Sequence, residues 1–198
     1  MRKFGSVGGE IEIIVEDREG NVIEHIKKPM DSFTKNILNL ICMFDTGGWV
    51  TTDVGGNTVT FAFKNATDNY LYNAEVLAGS GDDNYGILVG SSDTAFDVTQ
   101  HNLGSKISNG TGSGQLSYGE TSVVDSGDDY KTWQRAFDNL SGADITVKEI
   151  GMFAKVTREE SGVPQTYYVM LARDVITTTT VPNGGRLIVK YTFKINPS

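Results

Sequence analysis

The chain has 198 residues, of which 38% are hydrophobic, 10% aromatic and 21% charged; this is ample apolar material for one sizeable core and too much for a disordered polymer. With 25 acidic against 17 basic residues the formal net charge is -8, which repels phosphate backbones and anionic lipid surfaces and argues against nucleic-acid or membrane partners. The lone Cys42 excludes an internal disulfide, and no run reaches the ~18 apolar residues of a membrane-spanning helix.

One domain over residues 1–198 is expected. Residues 1–9 are glycine-rich and lightly basic, and they lack the apolar core of a signal peptide, so synthesis in a reducing cytoplasm is expected. They predict a flexible arm whose Phe4 and Val7 are available to a partner. Glu10-Ile11-Glu12-Ile13-Ile14-Val15-Glu16 alternates acidic and apolar residues, as a strand with one wet face does, with a bulge expected at Ile13-Ile14. Asp17 to Asn21 supplies a turn and Asn21 to Lys27 the return, giving a hairpin over 10–28.

Pro29 ends that strand, and Asp31 or Ser32 can cap a helix over 31–45. Its apolar residues Phe33, Ile37, Leu40, Ile41 and Phe44 recur at i, i+4, i+7, i+8 and i+11. Residues 50–198 are short β-branched or aromatic runs divided by Gly, Asn, Asp and Ser clusters: Thr58 to Phe63, Gly86 to Gly90, Gln115 to Val124, Tyr130 to Phe137, Ile145 to Thr157, Thr166 to Val175 and Arg186 to Ile195. No second amphipathic helix is present to make parallel crossovers, so the fold class is all-β, an antiparallel β-sandwich of jelly-roll-like type with an N-terminal hairpin and one amphipathic helix. The glycine-rich stretches 79–84 and 108–114 read as surface loops.

The nucleophile elbow, the phosphate loop and the H-E-x-x-H zinc motif are all absent from the sequence. His25 and His101 read as structural or solvated groups, and Cys42 as a small buried hydrophobe with no cationic neighbour to activate it. Asp82, Asp83, Asp128 and Asp129 are the best cation-ligand candidates, but the spacing of a calcium loop is missing, so no metal and no cofactor are expected.

Five stretches carry a resemblance. They are Ser32-Phe33-Thr34-Lys35-Asn36; Gly86-Ile87-Leu88-Val89-Gly90-Ser91-Ser92-Asp93; Ile145 to Phe153 with its core Glu149-Ile150-Gly151; Leu171-Ala172-Arg173-Asp174; and Val181-Pro182-Asn183-Gly184-Gly185 before the last strand. In this order they resemble a group of tailed-bacteriophage virion structural proteins, with Met152 standing where that group more often has leucine. The resemblance implies a non-enzymatic β-sandwich subunit residing in the virion. A head decoration or stabilising protein is the leading expectation, and a collar, tail or tail-fibre component the alternative. Its partners would be copies of itself and other virion proteins such as capsid or tail subunits, with Phe4, Val7, Phe33, Ile37 and Leu40 as candidate assembly contacts. A reading from another class is a carbohydrate-binding β-sandwich, in which Trp49, beside two glycines, stands exposed and stacks on a sugar face.

Overall fold

The computed structural model describes residues 6–30, 32–41, 48–62, 71–160 and 162–196. Among the described residues eleven strands and one helix follow in chain order. They are β1 (Ser6–Glu16), β2 (Val22–Met30), α1 (Lys35–Ile41), β3 (Gly48–Thr52), β4 (Thr58–Ala62) and β5 (Leu71–Glu75). Next come β6 (Gly86–Gly90), β7 (Ser117–Ser126), β8 (Tyr130–Asp138), β9 (Ile145–Glu160), β10 (Val163–Val181) and β11 (Arg186–Asn196). All pairings between named strands are antiparallel. A five-stranded sheet runs β2-β1-β11-β8-β7; in a second sheet β9 is flanked by β10 on one side and by β5 and β6 along the other; β3 and β4 form a small separate ribbon. The structure is an all-β antiparallel sandwich, as the strand periodicity predicts.

Alternation sets the two faces of the five-stranded sheet. Ile11, Ile13 and Val15 on β1 lie opposite Tyr191, Val189 and Leu187 on β11, and all six are fully buried. They meet Ile150, Met152, Val169 and Met170 of the second sheet in one core cluster. Each such side chain contributes roughly 1.5–3 kcal/mol through burial of its apolar surface. The N-terminal hairpin is not an appendage: β1 lies inside this sheet, between β2 and β11. Two expectations change. Ser6 to Gly9, expected in a flexible arm, extend β1 and pair with Asn196 to Phe193. The bulge expected at Ile13-Ile14 is absent there, and the register shifts instead at Val15/Glu16, because Ile14 simply takes the outer face opposite Ile188.

The turns explain where strands end. In the β1–β2 loop the Asp17 carboxylate accepts hydrogen bonds from Glu19 N (3.0 Å) and Asn21 N (2.8 Å), while Gly20 takes φ +84°. The β3–β4 loop repeats this device: Asp53 accepts from Asn57 N at 2.7 Å and Gly56 takes φ +82°. Strands β3 and β5 lie outside the runs that the sequence pattern marks as strands. Helix α1 begins at Lys35, after the expected caps: the Thr34 hydroxyl before it donates to Met170 O (2.8 Å) instead of serving the helix. The C-terminal part of the expected helix, with Cys42 and Phe44, lies outside the described residues, as does Phe4.

Candidate functional site

Four of the five resemblance motifs converge on one place. Strand β10 bulges between Met170 and Ala172, which carries Leu171 out of register with β9. Into the gap fits the segment before α1: Thr34 N donates to Leu171 O (3.0 Å), Arg173 N donates to Ser32 O (3.1 Å), and Phe33 bridges to Ala172. Asn36 extends the seam, its amide donating to Met170 O (3.0 Å) and Thr52 O (3.1 Å).

At the centre lie Glu149 on β9 and Arg173 on β10, both 0% exposed, with Arg173 Nε donating to Glu149 Oε2 at 2.7 Å. The carboxylate also accepts backbone N–H groups of Ser92 (3.3 Å), Gly104 (3.0 Å) and Ser105 (2.7 Å). The guanidinium reaches on to Gln100 Oε1 (3.0 Å) and Thr94 O (2.9 Å). Five polar contacts thus tie the polar stretch 92–105 to the two long strands and, with the ion pair itself, compensate the desolvation of both ions. Gly90 is needed because a Cβ there would sit 2.4 Å from Glu149 Oε1 and 2.6 Å from Ser105 O.

A second buried arginine works without a carboxylate. Arg135 on β8 is 0% exposed and donates to five carbonyls: Gly119 (2.8 Å), Tyr85 (3.0 Å), Ile87 (3.0 Å), Gly79 (3.2 Å) and Asp82 (2.6 Å). All five guanidinium N–H groups have an acceptor, and the group lies 4.7 Å from the centroid of the Tyr118 ring. Burial pushes its pKa down to about 10. Arg135 therefore clasps the 79–87 stretch onto the five-stranded sheet.

The expected site residues fall as follows. Trp49, expected exposed for stacking on a sugar, is 2% exposed, packs on Phe61 at 5.4 Å and donates Nε1–H to Asn36 O at 3.0 Å. Its position on the β3–β4 ribbon turns the indole inward, so it offers no sugar platform. Phe33, Ile37 and Leu40, candidate assembly contacts, are partly buried and pack on the core of their own chain, as an amphipathic stripe normally does; Leu38 is exposed. Val7 is exposed, at 57%, opposite Ile195 at 59%. Asp82 accepts from Asn84 N (2.9 Å), and Asp83 accepts from Asn109 N (2.8 Å) and pairs with Lys106 (3.2 Å). Asp128 and Asp129 sit in the β7–β8 turn, where Ile195 N donates to Asp129 O. Among the described residues no three of His, Cys, Asp and Glu are grouped to hold a metal.

A concave surface has no counterpart among the residues that the sequence pattern singles out. The outer face of the five-stranded sheet holds a groove of about 610 Å³, floored by Glu12, Lys190, Gln134, Thr132 and Thr192 and rimmed by Tyr130. Glu12 accepts from Lys190 Nζ at 2.8 Å and lies 2.7 Å from His25 Nε2, and Lys27 pairs with Glu10 at 2.8 Å. The Lys190 hydrogen bond holds the Glu12 carboxyl below the usual glutamate range, with His25 adding to the effect. Chemically the groove presents hydroxyls, an amide and paired ions, with donors and acceptors interleaved.

No protein-family model, no curated protein and no solved structure matches this chain.

Proposed function

We propose that this chain is a structural, non-enzymatic subunit of a tailed-phage virion, displayed on the outside of the particle as a head decoration or stabilising protein. The observation that supports the reading is the convergence of its motifs: Ser32 to Asn36, Gly90 to Ser92, Glu149 and Leu171 to Arg173 meet in a hub whose central ion pair is sealed from solvent. Distinctive residues of an enzyme are expected to converge on an accessible pocket, with a nucleophile or acid–base pair open to substrate. Here they join strand to strand and loop to strand, which is what a rigid building block requires. Exposed Val7 and Ile195 on neighbouring strands supply apolar area for a contact with a second copy or with a capsid subunit.

The test is protein mass spectrometry of purified particles from lysates in which the chain is produced. Peptides at a fixed stoichiometry with the major shell protein are expected, with immunogold particles over the head. Gold confined to the collar, tail or fibres moves the subunit there and overturns the head assignment. Absence from purified particles overturns the virion role altogether.

A further inference from the structure

We propose that the outer face of the five-stranded sheet binds a neutral linear oligosaccharide, laid across the strands in the groove floored by Glu12, Lys190, Gln134, Thr132 and Thr192. The groove volume of about 610 Å³ lies within the range of small-molecule sites. The ligand class follows from charge. Glu10, Glu12 and Asp125 line the groove together with Lys27, Lys190 and Lys194, so acidic and basic groups balance. Two of the three carboxylates already have lysine partners at 2.8 Å. A phosphate, a sulfated chain or a polyamine finds no net field to pay its desolvation. A purely apolar ligand would strand the polar floor. A neutral polyol gains from both halves of each ion pair, because a hydroxyl can donate to the carboxylate while accepting from the ammonium.

The register supplies the geometry. Cross-strand pairing sets Lys27, Glu12, Lys190 and Gln134 in one row over β2, β1, β11 and β8. It sets Glu10, Thr192, Thr132 and Asp125 in the next row, over β1, β11, β8 and β7. Residues within a row repeat at the strand interval of about 4.8 Å, which is close to the length of one pyranose unit, so successive sugars meet successive strands. The floor is pre-organised: Thr132 is 7% exposed and its hydroxyl shares a 2.9 Å hydrogen bond with that of Thr192. Tyr130 at the rim is held by a 3.1 Å bond from its hydroxyl to Asp125, and it supplies the ring against which the C–H face of a terminal sugar packs.

The experiment uses the full chain against a panel of neutral oligosaccharides (β-1,4- and α-1,4-glucans, mannans, galactans and N-acetylglucosamine oligomers) with polygalacturonate and heparin as anionic counterparts. Binding is followed by calorimetry and by amide chemical shifts. At least one neutral series is expected to bind and to shift amides of β11 and β8. Affinity is expected to fall about tenfold or more, or 1.4 kcal/mol, in both Gln134→Ala and Tyr130→Ala, with each variant's fold checked by its near-ultraviolet circular dichroism. Lys106→Ala, away from the groove, is expected to bind as the parent does. No binding by any neutral glycan, binding by the anionic chains alone, or binding that both groove variants retain overturns the site. The result is separate from virion residence: particles lacking the chain would leave the glycan site standing, and a flat titration would leave the particle assignment standing.

Discussion

At the centre of the molecule Glu149 and Arg173 are completely out of solvent, and Glu149 holds three loop amides as well as its arginine. On the outer sheet face the Glu12 and Lys190 side chains form a pair of nearly the same length, 2.8 Å against 2.7 Å, yet keep 21% and 26% of their surface exposed. Distance is therefore a poor guide to what an ion pair does. The buried pair fixes one arrangement, because either ion alone would be stranded in a low dielectric. The outer pair keeps its contact with solvent and stabilises little.

The largest effect expected follows from breaking the buried side of this contrast. Glu149→Ala leaves the Arg173 charge uncompensated and three N–H groups without their acceptor, and should cost about 3–5 kcal/mol in urea denaturation. Replacing both ions by apolar residues, Glu149→Leu with Arg173→Met, should recover part of that loss, giving a coupling of at least about 1 kcal/mol in a double-mutant cycle. A single-variant cost below about 1 kcal/mol would put the hub in the same class as the outer face and erase the distinction.

Arg135 sharpens the comparison, since it is as buried as Arg173 but faces carbonyls alone. Arg135→Lys keeps the charge while reducing five donors to three in a different geometry. At least two of the five carbonyls, four on the 79–87 stretch and one at Gly119, lose their donor, and a cost of about 2–4 kcal/mol is expected. Hydrogen exchange should locate the loosening at 79–87 and spare 92–105. Equal exposure of both stretches would mean that the two arginines hold one cooperative unit.

Much of the fold was legible because alternation is a strong signal where one face is buried. Leu187, Val189 and Tyr191 announce β11, and Gly86 to Gly90 matches β6 residue for residue. The run Thr58 to Phe63 announces β4, and the β3 that pairs with it has a readable mark in the turn between them: Asp53-Val54-Gly55-Gly56-Asn57 repeats the D-x-x-G-N pattern of the Asp17 to Asn21 turn. Ser6 to Gly9 read as an arm because they have little strand propensity of their own; their strand exists through pairing with Asn196 to Phe193 of β11, at the other end of the sequence, which leaves no local trace. Trp49 was misplaced for a similar reason. Glycine neighbours suggest exposure, but the indole finds a carbonyl on α1 and a ring on β4 only once the chain has folded. The motifs were visible as residues and invisible as a hub, since nothing in Glu149 or Arg173 says that they face each other across a β-ribbon. The groove leaves no local trace because its rows join the β1–β2 and β7–β8 hairpins through β11, three segments far apart in sequence.

The smallest effect, on the outer face, carries a pH signature. Lys190, and after it His25, hold the folded Glu12 carboxyl below its ordinary value of 4.5. A carboxylate with a depressed folded pKa adds stability that is fully present above its unfolded pKa and is lost as pH falls through the folded one. Glu12→Gln removes that contribution, so at neutral pH it should lower stability by no more than about 1 kcal/mol. As the pH drops below 4.5 the parent protonates Glu12, and the gap between the two thermal unfolding curves should close. The parent as a whole continues to lose stability there, because Lys148 holds Asp93, Asn21 holds Asp17, and Tyr167 with Arg158 holds Glu160 below their usual ranges in the same way. A gap that stayed constant into acid would mean that the Glu12–Lys190 contact acts through packing and not through charge, and would overturn the electrostatic reading of the outer pair.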